Sequence, residues 1–284
     1  MTGTANAAQA EYWNSQPGKN WVTYQSDMDL LLAAATDCLL AAGQPRAGEN
    51  LLDIGCGAGD STFALAAAVA PGGSVLGIDI STPLVERARA RQAGRAIGNA
   101  GFLVADAQDH HFEPAACDMI ASRFGVMFFS DSVAAFRNLG RALRMGGRIV
   151  FVGWAGADAN PWFSVPNRAV AARLGAAPPA PAGAPGPLAF ADEPRVLDIM
   201  SKAGFSEANC STQDIELHHP GGMEAVLRVA PHMGPIARRL REANGTAADR
   251  EAIMEAIATD FERFLASDGI RVPARVHVFS AVRN

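Results

Sequence analysis

The sequence predicts an α/β fold: a parallel sheet with helices on both faces. Two observations carry that reading. Short apolar runs alternate with helix-like segments from Asn50 to Trp154, the pattern of strands joined by crossover helices. The chain has 284 residues, 49% hydrophobic and 19% charged, which is enough apolar material for one packed core with insertions. Right-handed crossovers then leave few topologies.

Residues 1–25 are polar with aromatic anchors at Tyr12, Trp13, Trp21 and Tyr24. Ser26 or Asp27 can cap a helix running to about Ala42, which Gly43 stops ahead of Pro45. Asn50–Ile54 is a short apolar run ending in glycines and reads as a buried strand. Asp60 or Ser61 caps an alanine-rich helix that closes at Pro71-Gly72-Gly73. Ser74–Ile80 is the second strand, and Ser81 caps the next helix with Pro83 in its first turn. Gly101–Ala105 and Asp118–Ser122 are the third and fourth strands. Ser130 or Asp131 starts a helix with Val133, Phe136, Leu139 and Leu143 on its apolar face, ended by Gly146-Gly147. Arg148–Trp154 is the fifth strand.

After Trp154 the alternation breaks. Residues 176–187 are only Ala, Pro and Gly, the composition of an extended, exposed linker. A helix at Glu193–Ala203 ends at Gly204, and Glu207–His218 reads as a strand. A helical block covers about 222–267, and Val272–Val282 closes the chain as a last strand.

The net charge of −5 argues against a nucleic-acid partner, because phosphate neutralisation needs a basic surplus. Cys38, Cys56, Cys117 and Cys210 show no C-x-x-C spacing, so neither a structural metal site nor a disulfide framework is expected. No basic residue precedes Lys19, and the Leu30–Ala35 run is too short to span a bilayer. The expectation is a soluble, cytoplasmic protein with no membrane partner.

The chemistry begins at Leu51-Leu52-Asp53-Ile54-Gly55-Cys56-Gly57-Ala58-Gly59-Asp60. A buried strand runs into a glycine turn and then a helix. Glycines let the backbone approach a ligand closely, and the helix start offers free N–H groups. Asp79 ends the next strand, twenty positions after Gly59, where a carboxylate can accept hydrogen bonds from both ribose hydroxyls; the other reading is a helix cap. The glycines alternate by two, whereas a dinucleotide turn spaces its last two by three. Asp53 adds a negative charge just before them. That charge suits the cationic S-adenosylmethionine (SAM) and opposes a pyrophosphate.

With these residues the chain resembles the class I SAM-dependent methyltransferases, close to the UbiE-like small-molecule group. Leu51–Gly59 resembles their first motif, and Gly77-Ile78-Asp79-Ile80-Ser81 the ribose-binding motif. Val104-Ala105-Asp106-Ala107 resembles the adenine-binding motif, which implies Asp106 on the adenine amino group and the Ala107 backbone on a ring nitrogen. Asp118–Phe129 resembles the fourth-strand motif, and Leu143–Trp154 the strand-five region, with Arg-Met-Gly-Gly in place of Arg-Pro-Gly-Gly. The match spans about 47–155.

The resemblance implies a Rossmann-like seven-stranded sheet with its last strand antiparallel, and helical cap insertions. It divides the chain into an N-terminal helical lid (1–45), a SAM-binding core (46–155), a Pro/Ala/Gly-rich linker and cap (156–192), and the C-terminal part of the sheet (193–284) with its helical insertion. The candidate cofactor residues are Tyr12, Trp21, Asp53, Gly55, Cys56, Gly57, Gly59, Asp79, Ile80, Asp106, Ala107 and Ser122. For Asp106 a second reading is a loop cap near Gln108. For Tyr12 and Trp21 ordinary packing competes with holding a sulfonium by cation–π attraction.

Ligands of open α/β sheets bind beyond the carboxyl ends of the strands. That rule selects Arg123, Phe124, Met127, Trp154, Trp162 and Phe163 for a small-molecule acceptor, with Arg123 available to an acceptor carboxylate. If the acceptor needs a general base, the candidates are His110, His111, His218 and His219. No metal is expected. The competing functions are an NAD-dependent oxidoreductase and a non-catalytic SAM-binding protein.

Overall fold

The computed structural model describes residues 6–95, 97–178, 181, 183–233 and 236–284. The N-terminal segment folds as α1 (Ala7–Trp13), α2 (Gln16–Thr23), α3 (Gln25–Leu31) and α4 (Ala33–Gly43). The single helix expected over residues 26–42 is therefore broken at Leu32, whose φ of −98° and ψ of 7° leave the helical region. Neither Ser26 nor Asp27 caps it. Asp27 instead pairs with His219 and Arg228, which ties α3 to the far end of the chain.

Alternation then follows: β1 (Asn50–Ile54), α5 (Asp60–Ala68), β2 (Ser74–Asp79), α6 (Thr82–Ala93), β3 (Ala100–Val104), β4 (Cys117–Arg123), α7 (Ser132–Ala142) and β5 (Leu143–Trp154). Asp131 caps α7, accepting from the Ala134 N–H. The helix ends at Ala142 rather than at Gly146-Gly147, because Leu143 is already extended and pairs with Cys117. Gly146, with φ +73°, lies in the irregular start of β5 instead.

The remainder comprises α8 (Pro161–Leu174), α9 (Glu193–Lys202), β6 (Phe205–His219), α10 (Gly222–Val229), α11 (Ile236–Glu242), α12 (Ala247–Phe261), β7 (Leu265–Ala266) and β8 (Gly269–Arg283). The block expected to be helical up to Ser267 thus ends in a two-residue strand. The linker expected over 176–187 lies partly outside the described residues. Its described end is not free of the fold, since the Gly186 N–H donates to Met127 O.

The sheet order is β3-β2-β1-β4-β5-β8-β6, with β7 added on β8 as an eighth strand. β1 to β5 are parallel, and β8 runs antiparallel to both β5 and β6. Ile149 to Trp154 are buried consecutively along β5, so both faces of the sheet are covered. The chain leaves β1 toward β2 on one side and later fills β4 on the other. The crevice between the carboxyl ends of β1 and β4 is thus the topological switch point where such sheets bind ligands. No helix among the described residues is long and apolar enough to cross a membrane.

Candidate active site

One continuous cavity opens at that switch point. Its floor is the glycine turn. Gly55 and Gly57 have φ of +69° and +54°, a region in which a side chain is strained. The Gly55 and Cys56 N–H groups both donate to Ile78 O, which pins the turn to β2. A Cβ on Gly55 would stand 2.5 Å from Gly125 Cα, while one on Gly57 would meet nothing within 4 Å. The first glycine lets two backbones cross, and the second leaves room above the turn.

The two carboxylates expected to hold the nucleoside face this cavity. Asp79 accepts from the Gly57 N–H at 2.8 Å and the Ser81 N–H at 2.8 Å. Burial pushes its carboxyl up, and these backbone bonds pull it back. Asp106 makes the loop cap and keeps one oxygen unused. Oδ1 caps the loop, accepting from the Gln108 N–H at 3.0 Å. Oδ2 is buried with no partner, so an amino group presented from the cavity would satisfy it. A buried acceptor beside an open glycine turn and a ribose-competent carboxylate fits an adenosyl cofactor.

Of the expected cofactor residues, Tyr12, Trp21, Gly55, Cys56, Gly57, Asp79, Ile80, Asp106 and Ala107 line the cavity. Three stand behind it. Asp53 is fully buried and accepts from Ser61 Oγ at 2.7 Å and Thr62 Oγ1 at 2.6 Å. Desolvation pushes its carboxyl up to about 6 against those two hydroxyl bonds. Gly59 is the N-cap of α5 with φ +90°, and a Cβ there would strike Phe102. That leaves Asp60 and Ser61 inside the helix rather than capping it. Ser122 donates to Ile54 O at 2.7 Å and accepts from the Gly125 N–H at 3.1 Å, so its hydroxyl is spent on backbone.

The N-terminal helices pack against the cavity wall formed by the ends of β2 and β3. Ser81 Oγ donates to Trp13 O at 2.7 Å rather than capping α6. Asn14 Nδ2 donates to Ile80 O at 3.0 Å, and Asn6 Nδ2 approaches Asp106 Oδ1 at 3.4 Å. The same segment reaches the residues that follow α10. Asn20 Nδ2 donates to His232 O at 3.0 Å, and Tyr24 stacks on the His232 ring at 5.1 Å.

All six expected acceptor residues line the cavity. Phe124 and Trp154 stack with centroids 4.2 Å apart and planes 1° from parallel, and Phe163 meets Trp154 edge-on at 5.2 Å. Phe124 holds φ at +61°, a strained conformation for a bulky residue. The crossing of Gly125 over Gly55 sets that backbone and aims the ring. Arg123 pairs with Asp60 at 2.8 Å and with Thr36 Oγ1 at 2.6 Å.

Sequence reasoning missed Asp29, Asp60, Gln25 and Met233, which also line the cavity. Asp29 pairs with Arg91 at 2.6 Å and is short-bonded to Gln25. Burial, then the charge of Asp60, pushes its carboxyl up. These charges lie about thirty residues apart along the chain, and no local pattern joins them.

The four histidines expected as bases do not line the cavity. His110 packs edge-on against Phe112 at 4.7 Å, and His111 is exposed. His218 lies 3.1 Å from Asp268 O. His219 accepts from the Gly221 N–H at Nδ1 and meets Asp27 at 3.0 Å through Nε2. β6 is the edge strand, beyond β8, so its carboxyl end is displaced from the switch point.

We expect Asp79→Ala to weaken SAM binding by about 1–3 kcal/mol, the value of lost charge-assisted hydrogen bonds. Calorimetry measures it, and unchanged affinity in a folded variant would move the ribose contact elsewhere.

A family model described as a methyltransferase domain matches residues 51–147. Nocamycin O-methyltransferase from Saccharothrix syringae is 33% identical over 201 residues, 64% of this chain and 68% of that protein. Aklanonic acid methyltransferase from Streptomyces sp. (strain C5) is 36% identical over 113 residues, 40% of this chain and 51% of that one, so the match spans about half its length. A phosphoethanolamine N-methyltransferase structure from Haemonchus contortus, in complex with S-adenosylhomocysteine, has the same fold. Its TM-score is 0.53 at 17% identity, covering 88% of this chain and 52% of that one.

Proposed function

This chain belongs to the class I SAM-dependent methyltransferases, and we propose that it methylates an acidic hydroxyl on a flat, largely apolar small molecule. The stacked Phe124–Trp154 pair carries the reading. The stacked pair, beside Phe163, Trp162 and Met127, forms an aromatic wall of the cavity on which a planar partner can stack. The two relatives above are named for nocamycin and aklanonic acid, which supports a small-molecule acceptor. The family match displaces both the NAD-dependent and the non-catalytic readings.

When bound, SAM supplies a methyl group activated for in-line displacement. The residues of the chain bind and align. Asp79 and Asp106 are the proposed anchors of the nucleoside, with Gly57 leaving space for it. Phe124 and Trp154 orient the acceptor plane, which is the main service such a displacement requires. On the acceptor side the cavity carboxylates Asp29 and Asp60 are already paired with Arg91 and Arg123. One of those relatives is named an O-methyltransferase, which supports a hydroxyl oxygen as the acceptor atom, and an acidic phenol or enol needs the least help in losing its proton.

The test is incubation with methyl-labelled SAM and a panel of flat phenols, enols, amines and thiols, read by mass spectrometry. Labelled ethers are expected. Trp154→Ala should raise the acceptor KM by about tenfold, the scale of a lost ring stack plus its burial, with SAM affinity unchanged. Product only from amines or thiols would overturn the acceptor class.

A further inference from the structure

A second cluster of chemistry-bearing side chains lies away from the cavity, where α9 meets β6 and β8. Cys210 and Thr212 are two apart on β6, and His277 and Phe279 are two apart on β8. The register pairs Cys210 with Phe279 and Thr212 with His277. Residues two apart along a strand share a face, so Cys210 and His277 sit diagonally on one side of the sheet. Glu193, the first residue of α9, comes down on that side. A Glu193 carboxylate oxygen, Cys210 Sγ and a ring nitrogen of His277 all lie within 4.8 Å of one another. Thr212 Oγ1, 2.9 Å from His277 Nδ1, holds the imidazole plane.

We propose that Glu193, Cys210 and His277 form a binding site for one divalent metal ion of the zinc class, with water completing its shell. The ligand set is the argument. Sulfur, imidazole nitrogen and carboxylate oxygen from three separate elements are the donors that this borderline-soft ion takes together. His277 is buried and the other two are half-buried, so the site is accessible yet partly dry. Thr212 supplies the supporting hydrogen bond that metal-binding histidines need. On binding, the ion bonds to sulfur, nitrogen and oxygen with no change of oxidation state, and the Cys210 thiol proton leaves to solvent.

The site has a structural consequence. Three residues before Glu193, Phe190 is buried in the core, and three before that, Pro187 lines the cavity. An ion at Glu193 would anchor this segment to β6 and β8.

The experiment uses the full chain stripped with a chelator. Zn2+ is titrated by calorimetry, Co2+ by visible and near-ultraviolet absorption, and SAM binding is measured in parallel. One equivalent of Zn2+ is expected, with a thiolate-to-cobalt band that Cys210→Ser abolishes. Cys210→Ser and Glu193→Gln should each weaken Zn2+ by at least about tenfold, and Thr212→Val by about tenfold, as the loss of a supporting partner does. SAM affinity should stay unchanged, which keeps this test separate from that of the methyltransferase site. Wild-type protein that binds SAM but not Zn2+ would overturn the proposal. So would Zn2+ affinity untouched by both ligand variants.

Discussion

Gly55→Ala should unfold about 2–5 kcal/mol more easily than the wild type. The left-handed backbone at φ +69° costs an L-residue about 1–2 kcal/mol. The added methyl then meets Gly125 Cα at 2.5 Å, and backbone cannot swing aside as a side-chain tip does. Overpacking of this kind costs about 1–3 kcal/mol more. Urea unfolding gives the comparison. Gly57→Ala is the control, because it faces open space. It should lose only the conformational part, about 1–2 kcal/mol, yet weaken SAM binding by filling the room above the turn. Equal stability losses in the two variants would show that the Gly55–Gly125 crossing is not rigid.

Asp53 sets the second expectation, and its sign is unusual for a carboxylate. Its carboxyl sits at about 6 in the fold against 3.8 for the free group. Between those values the folded chain binds more protons than the unfolded one, so stability falls as pH rises through the window. Above about 6 the whole cost is present. Roughly two pH units at 1.36 kcal/mol each give about 3 kcal/mol. Asn is the neutral acid's near-isostere and keeps an oxygen for Ser61 and Thr62. Ligand-free Asp53→Asn should therefore match wild type near pH 4 and exceed its stability by about 3 kcal/mol at pH 7. The same variant should bind the cationic cofactor less tightly, since it removes a buried negative charge behind the turn. Urea unfolding at several pH values, with calorimetry on SAM, checks both halves. Parallel stability curves for the two proteins would assign the charge no such cost.

The parallel half of the fold was readable because its signals are local. β1, the glycine turn and α5 occupy consecutive residues, and Asp79 and Asp106 each end a short apolar run. The cavity aromatics were readable for a related reason: they follow the carboxyl ends of β4, which borders the switch point, and of β5 beside it. The same rule failed for His218 and His219, because it ranks strand ends without knowing that β8 separates β6 from β5. Ser122 failed differently. A small polar group at a strand end looks like a ligand contact, but this hydroxyl satisfies backbone. The Asp29–Arg91 and Asp60–Arg123 pairs had no local sign at all, since only the packing of α3, α5 and α6 around β4 brings them together.

The N-terminal segment is tied down on two sides. Its first helix is fastened to the end of β2 through Asn14 and Trp13, and its second to His232, beyond α10, through Asn20. One short segment therefore bridges two walls of the cavity that lie more than 150 residues apart in sequence, and a substitution in it bears on both.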